Sequence, residues 1–218
     1  MIAANQGADP HLVEKWLRGW ALSRGKPAPE AIEGGWRVSV NEPDQIERYV
    51  FARGGEDVRR LSASISRAFT PIKICAAPEA AAPLLNPPWV IDRTSSMMTK
   101  PALNASETRL ADGYGVALTG VGEVLIAFAV TGAGDIAAGG RAALIGDVAV
   151  FDQISTQEAH RRRALGSAIM RTLENAVVAR GAQRGMLVAT EAGSALYKTL
   201  GWEAYSPYTT AIAPSRER

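Results

Sequence analysis

Three consecutive arginines, Arg161, Arg162 and Arg163, precede a segment of helical periodicity and follow a segment that alternates like a strand. The first turn of a helix carries unpaired N–H groups and a partial positive charge, so arginines there are unfavourable unless an anion lies among them. Ala164 and Gly166 are small and let a ligand approach the backbone. This combination predicts a phosphate-binding loop, although three arginines can also form a solvated basic surface.

The sequence around this loop resembles the coenzyme A motif of the GNAT acetyltransferases, (Q/R)xxGxG/A, in the segment HRRRALGSAIM over 160–170. A second segment, ALYKTLGW over 195–202, is similar to the family's LYxxLGF. The resemblance covers about residues 114–214. In the usual frame the family's first glycine falls on Ala164 and its second on Gly166. An alternative frame through Arg163, Gly166 and Ala168 fits the pattern literally but places the helix less well.

The resemblance implies acetyl-CoA as cosubstrate. We expect no metal, because the two histidines, His11 and His160, are far apart in sequence and no HExxH spacing is present. It implies that the end of a strand offers backbone groups to the pantetheine arm, that the arginine loop wraps the pyrophosphate, and that one further residue touches the cofactor where the family often has asparagine. These expected contacts are Ile154, Ser155 and Thr156; Arg161, Arg162, Arg163, Ala164, Leu165, Gly166 and Ser167; and Thr190.

Tyr197 matches the tyrosine that the family uses to protonate the departing thiolate. A tyrosine hydroxyl has an ordinary pKa near 10 and can donate a proton to a thiolate of similar basicity. The alternative is a core aromatic residue beside Leu196 and Leu200.

Asp152 is the candidate general base. We expect it on the same strand face as Ile154 and Thr156, since side chains alternate along a strand. A carboxylate within the apolar run Val148–Phe151 is a better base because desolvation disfavours its charge. The alternative is a structural aspartate that is paired with an arginine or lies at a strand bulge. Glu191 and His160 are weaker candidates.

The elements that position these residues begin with three antiparallel strands near 124–130, 136–145 and 148–155, followed by helix 165–180, strand 186–190, helix 191–200 and two short strands near 202–204 and 208–212. We predict an α/β fold with a mixed, mostly antiparallel central sheet flanked by helices, the acyl-CoA N-acyltransferase fold.

We expect residues 1–95 to form an N-terminal α/β lobe, which is either an accessory lobe or a degenerate GNAT-like repeat. Its helices are expected near 11–23 and from Asp57, the latter with a stripe from Val58 to Phe69. Residues 94–112 are expected to form a loop. Its Met97 and Met98, together with Trp16, Trp20 and Trp36, are expected to form walls of an acceptor cleft. The catalytic domain is expected over 96–214, and a charged tail over 215–218.

Composition excludes other classes of protein. Lysine and arginine number 24 against 22 acidic residues, which argues against a nucleic-acid partner. No apolar stretch reaches 18 residues, no secretory signal is visible, and one cysteine excludes an intrachain disulfide framework, so we expect a cytoplasmic protein without a membrane partner.

The resulting hypothesis is an acetyl-CoA-dependent N-acetyltransferase acting on a primary amine of a small molecule or protein, with a homodimer allowed. The alternatives are an acyl-CoA sensor without turnover and a nucleic-acid or anion-binding module built on the three arginines.

Overall fold

The computed structural model describes residues 7–65 and 67–213. Within them the chain forms five α-helices and eleven strands. The helices are α1 (Pro10–Ser23), α2 (Glu56–Ser64), α3 (Pro78–Ala81), α4 (Leu165–Val178) and α5 (Glu191–Thr199). The strands are β1 (Glu30–Ile32), β2 (Gly35–Glu42), β3 (Gln45–Phe51), β4 (Ile72–Ile74), β5 (Val90–Lys100), β6 (Tyr114–Val121), β7 (Val124–Thr131), β8 (Ile136–Ile145), β9 (Val148–Thr156), β10 (Arg184–Ala189) and β11 (Glu203–Ile212).

All strands join one mixed sheet in the order β1-β2-β3-β4-β11-β5-β10-β9-β8-β7-β6. Only β3–β4 and β9–β10 pair in parallel, and each pair is connected through a helix, as a parallel connection requires. The predicted mixed, mostly antiparallel α/β fold is confirmed.

Helix α1 covers one face of the sheet, called here the α1 face, and α2 to α5 cover the other. The Asp9 side chain caps α1 and Pro10 occupies its first turn. Its apolar side places Val13, Trp16, Leu17 and Trp20 in the core, at roughly 2 kcal/mol of stabilisation per large side chain. Gly19 permits this contact, because a Cβ there would lie 2.4 Å from Val150.

Helix α4 packs on the opposite face. Leu165, Ile169, Leu173 and Val177, the stripe that the sequence predicts, are all buried. Gly140 of β8 admits this helix, because a Cβ there would lie 2.9 Å from Ile169 and 2.3 Å from Ile154. Helix α4 is thereby fixed directly over β7, β8 and β9.

The N-terminal segment repeats part of the C-terminal arrangement. In the N-terminal part, strand β4 pairs antiparallel with β11. In the C-terminal part, β10 pairs antiparallel with β5 in the same way. Strands β11 and β5 pair with each other in the middle of the sheet. Strand β5 runs through the predicted boundary at 95/96, so both segments share one continuous sheet. The division into two lobes stays a prediction.

Three local expectations were wrong. Residues 94–100 are not loop but the second half of β5, with strands on both sides and Met97 and Met98 fully buried. Two adjacent buried residues, Met97 and Met98, interrupt the alternation that marks a strand, which hid this segment. Helix α2 ends at Ser64, so Phe69 lies outside it and is exposed. The two short terminal strands form one, β11, with an irregularity between Ala204 and Ser206. The sequence also missed β6. The tail at 215–218 lies outside the described residues.

Candidate active site

Strands β9 and β10 diverge and open a cleft in the middle of the sheet. They pair only where Val148–Val150 faces Arg184–Met186. Beyond this point β9 pairs with β8 alone and β10 with β5 alone. The edge of β9 from Ile154 to Thr156 therefore turns backbone groups without strand partners towards the cleft, and an extended amide-containing chain could pair with them as an added strand does.

A bulge in β9 separates the faces of Asp152 and Ile154. Gln153 has a φ of 54°, and the register with β8 shifts between Gly139 and Arg141. Ile154 consequently packs with the α4 core, whereas Asp152 contacts the end of α1. The expectation that these two residues share a face was wrong, because the extra residue of a bulge reverses the alternation beyond it.

The arginine loop connects β9 to α4. Arg162 and Ala164 both have positive φ, 60° and 55°, with Arg163 between them. No side chain caps α4 among the described residues, so the N–H groups of its first turn remain available. When the sign of φ alternates from residue to residue in this way, successive backbone N–H groups point into one concavity. This is the backbone geometry of an anion nest.

Gly166 opens the same concavity towards the cleft. A Cβ at this position would lie 3.2 Å from Leu196 and 3.8 Å from the Thr156 hydroxyl oxygen. The absent side chain leaves space where the ends of β9, α4 and α5 meet. Arg161, Arg162 and Arg163 are exposed, and within the described residues none of them has an ion-pair partner. The Arg163 guanidinium lies 5.9 Å from the centre of the Tyr114 ring, and Tyr114 is bonded to His160 at 2.8 Å.

Tyr197 lies on α5 with its ring largely buried, 6.2 Å from the Trp202 ring centre. Burial raises the pKa of its hydroxyl to about 12, and the nearby Asp152 carboxylate adds to the rise. The group thus keeps its proton at neutral pH and can donate it. The ring also packs in the core, so the packing role that the sequence left open is present as well.

Asp152 accepts hydrogen bonds from Arg24 Nε at 2.5 Å and Arg24 Nη2 at 3.0 Å. Its Oδ2 also lies 3.4 Å from the Ser23 hydroxyl, and Arg141 donates to the Ser23 carbonyl at 2.8 Å. The alternative expectation of an arginine partner is therefore confirmed. A carboxylate has about four acceptor positions, so one on Oδ1 remains for a substrate proton. The base role stays a prediction.

Sequence reasoning missed Arg24 as a site residue. A cation after the last turn of a helix is favourable in itself, so nothing in the local sequence pointed to a partner 128 positions away.

Thr190 caps α5, accepting from the Gly193 N–H at 3.2 Å. The residue lies at the end of β10, beside the cleft, and its contact with a cofactor stays a prediction. In residues 7–65 and 67–213 no group of three His, Cys, Asp or Glu side chains could hold a metal ion. No helix in that part of the chain is long and apolar enough to span a membrane.

Comparisons with known proteins agree with this geometry. A GCN5-related N-acetyltransferase from Kribbella flavida superimposes with a TM-score of 0.67 at 17% identity, covering 96% of this chain and 97% of that one. One from Sphaerobacter thermophilus gives 0.63 at 11% identity, covering 94% and 93%. A tandem GNAT protein from the clavulanic acid biosynthesis pathway gives 0.57 at 12% identity, covering 84% and 79%.

A comparison with curated protein sequences found no match. The sequence model of the acetyltransferase (GNAT) family matches residues 82–202, which include the cleft, the arginine loop and Tyr197. The chain therefore belongs to the acetyltransferase (GNAT) family.

Proposed function

We propose that this protein is an acetyl-CoA-dependent N-acetyltransferase that acetylates a primary amine by direct attack. The observation that carries the proposal is the junction of three features: the diverging ends of β9 and β10, the N–H nest at Arg162–Ala164, and the protonated Tyr197 hydroxyl on α5. The first suits a pantetheine arm, the second a pyrophosphate and the third a departing thiolate.

In the proposed binding mode, the backbone edge Ile154–Thr156 pairs with the amides of the pantetheine arm. The pyrophosphate lies on the N–H groups of residues 164–167 and is neutralised by Arg161, Arg162 and Arg163. Anion binding at a helix N-terminus needs no side-chain ligand, so Ala164 in place of the family's glycine is compatible with it.

The amine nitrogen then attacks the thioester carbonyl carbon, forming the C–N bond and a tetrahedral intermediate. Collapse breaks the C–S bond, and the Tyr197 hydroxyl donates its proton to the sulfur. Asp152 takes the proton that the nitrogen loses. This proton then passes through solvent from Asp152 to the Tyr197 tyrosinate, which restores both side chains. The net result is that the amine exchanges one proton for the acetyl group, and CoA leaves as the thiol.

A continuous assay of released CoA thiol, with a panel of primary amines, tests the proposal. Replacing Tyr197 by Phe should lower kcat about tenfold or more while the dissociation constant of acetyl-CoA stays the same. Tyr49→Phe removes a hydroxyl that donates to the Glu47 carboxylate, and this variant serves as the matched control. Acetyl-CoA binding without turnover of any amine would instead support the acyl-CoA sensor.

The cytoplasmic location and the homodimer stay predictions from the sequence.

A further inference from the structure

Two cationic side chains are buried on the α1 face without an acidic partner. Arg48 of β3 is 8% exposed and Lys73 of β4 is 6% exposed. Arg48 donates to the Gln45 side-chain oxygen at 2.8 Å, and Lys73 to the Thr210 hydroxyl at 3.0 Å. Neither forms an ion pair within the described residues. Buried cations are costly unless an anion compensates them.

Unused hydrogen-bond donors surround these cations. The buried polar side-chain atoms without a partner in the described part of the chain are Gln45 Nε2, Arg48 Nε and the Tyr208 hydroxyl. Lys73 Nζ lies 5.7 Å from the Tyr208 ring centre. Every one of these atoms can donate a hydrogen bond, which is the complement of an oxyanion.

An open cavity of about 250 Å³ borders this group. Gln45, Lys73 and Thr210 line it, whereas Arg48 and Tyr208 are not among its lining residues. Asp92 and Arg93 also line it and are paired with each other at 3.6 Å, and the exposed Asp44 is a second carboxylate in its lining. The Asp92 carboxylate is thus already engaged. The volume suits a compact organic acid of a few carbons rather than a nucleotide.

The buried Trp20 ring lies between the cationic cluster and the candidate active site. The Arg48 guanidinium lies 3.6 Å from the centre of the Trp20 ring, and the Arg24 guanidinium lies 5.0 Å from it. Arg24 in turn holds Asp152 beside the cleft. Helix α1 ends at Ser23 and therefore does not cover the part of the α1 face that lies beyond this residue.

We infer that the acceptor is a small primary amine that also carries a carboxylate, and that Arg48 and Lys73 bind this carboxylate. The inference rests on the proposed acetyltransferase function and adds the class of substrate. The Gln45 amide and Tyr208 hydroxyl complete the oxyanion site, and the amine extends towards Asp152 and Tyr197. The planar guanidinium of Arg48 matches a carboxylate in geometry as well as charge.

Matched acceptors test the inference: 4-aminobutyrate against 4-aminobutanamide, and β-alanine against β-alaninamide. For at least one pair, kcat/KM should be at least tenfold higher for the acid. Arg48→Gln and Lys73→Met should each bring this ratio close to one, mainly by raising KM, with the acetyl-CoA dissociation constant unchanged. Arg48→Lys should restore part of the preference. Arg18→Gln removes an exposed arginine of α1 and should leave the ratio as it is.

A binding measurement separates this inference from the proposed function. Butyrate, but not butanamide, should raise the Tm of the wild-type protein, and Lys73→Met should abolish the shift. The absence of a butyrate shift, equal use of acids and amides, or a preference that survives in both variants would overturn the inference. Failure to acetylate any amine, with the butyrate shift present, would overturn the proposed function and leave the carboxylate site standing.

Discussion

The Arg24 guanidinium holds the Asp152 carboxylate with two hydrogen bonds, which join the end of α1 to β9 just beyond its last residue paired with β10. Asp152 lies at the mouth of the cleft, and Arg24 belongs to the N-terminal segment. The segment outside the two sequence motifs therefore contributes directly to the proposed active site.

Loss of Arg24 should destabilise the protein by leaving this carboxylate half-buried without its cation. We expect Arg24→Gln to lower the free energy of unfolding by about 1–2 kcal/mol. Asp152→Asn in the same chain should recover much of that loss, because no charge is then left unpaired. Urea unfolding of the two single variants and the double variant measures the coupling. Strictly additive effects would show that the pair contributes nothing.

Asp152→Asn also tests the base role. If Asp152 takes the proton of the amine, Asp152→Asn should lower kcat/KM about 100-fold, mainly through kcat. Arg24→Gln keeps the carboxylate and should lower it far less. A fall of only a few-fold in both variants would assign Asp152 to positioning α1.

Ala164 tests the phosphate nest. It has a φ of 55°, a left-handed conformation that costs an alanine about 1 kcal/mol relative to glycine. Ala164→Gly should therefore keep or tighten acetyl-CoA binding and stabilise the fold by up to about 1 kcal/mol. Ala164→Val places a β-branched residue in this conformation and should weaken binding at least tenfold, as calorimetry would measure. Equal affinities of the two variants would contradict the nest.

Lys73 gives the protein a distinctive dependence of stability on pH. Burial lowers the pKa of its ammonium from 10.5 to about 7 in the folded state. The unfolded chain then binds more protons between these two values, so the free energy of unfolding should rise as pH rises from about 7 towards 10.

Lys73→Met should lack this component and should be more stable than wild type below pH 7, by about 1–3 kcal/mol. Lys15→Met, at an exposed lysine of α1 paired with Asp147, is the control and should keep the rise. Chemical unfolding across the pH range measures this dependence. If the free energy of unfolding of Lys73→Met followed the same pH dependence as wild type, the charge of Lys73 would already be compensated in the folded protein.

The sequence predicted the parts of the fold that are encoded locally. Helix α4 follows from apolar residues at steps of four, and the arginine loop stands out because its charges oppose the helix dipole. The sequence analysis missed the later part of β5 because residues Thr94–Thr99 mix polar and apolar types, and Met97 and Met98 are buried side by side without alternation.

The remaining features depend on contacts between distant strands. The bulge at Gln153 lacks a glycine that would signal a positive φ. It turns Ile154 to the α4 face, whereas Asp152 stays on the α1 face with Val150. Arg48 and Lys73 look like ordinary charged residues of short strands. Only the order β3-β4-β11 brings them together with Tyr208.

Calorimetric titration with acetyl-CoA is the most direct test of the central claim, that the β9–β10 cleft and the arginine loop bind the acyl donor. We predict a micromolar dissociation constant for the wild-type protein, weakened at least tenfold in Arg161→Ala/Arg163→Ala. Arg59→Ala/Arg60→Ala on α2 removes the same charge elsewhere and should bind like wild type. No binding at millimolar acetyl-CoA, or equal affinity in the loop variant, would contradict the account.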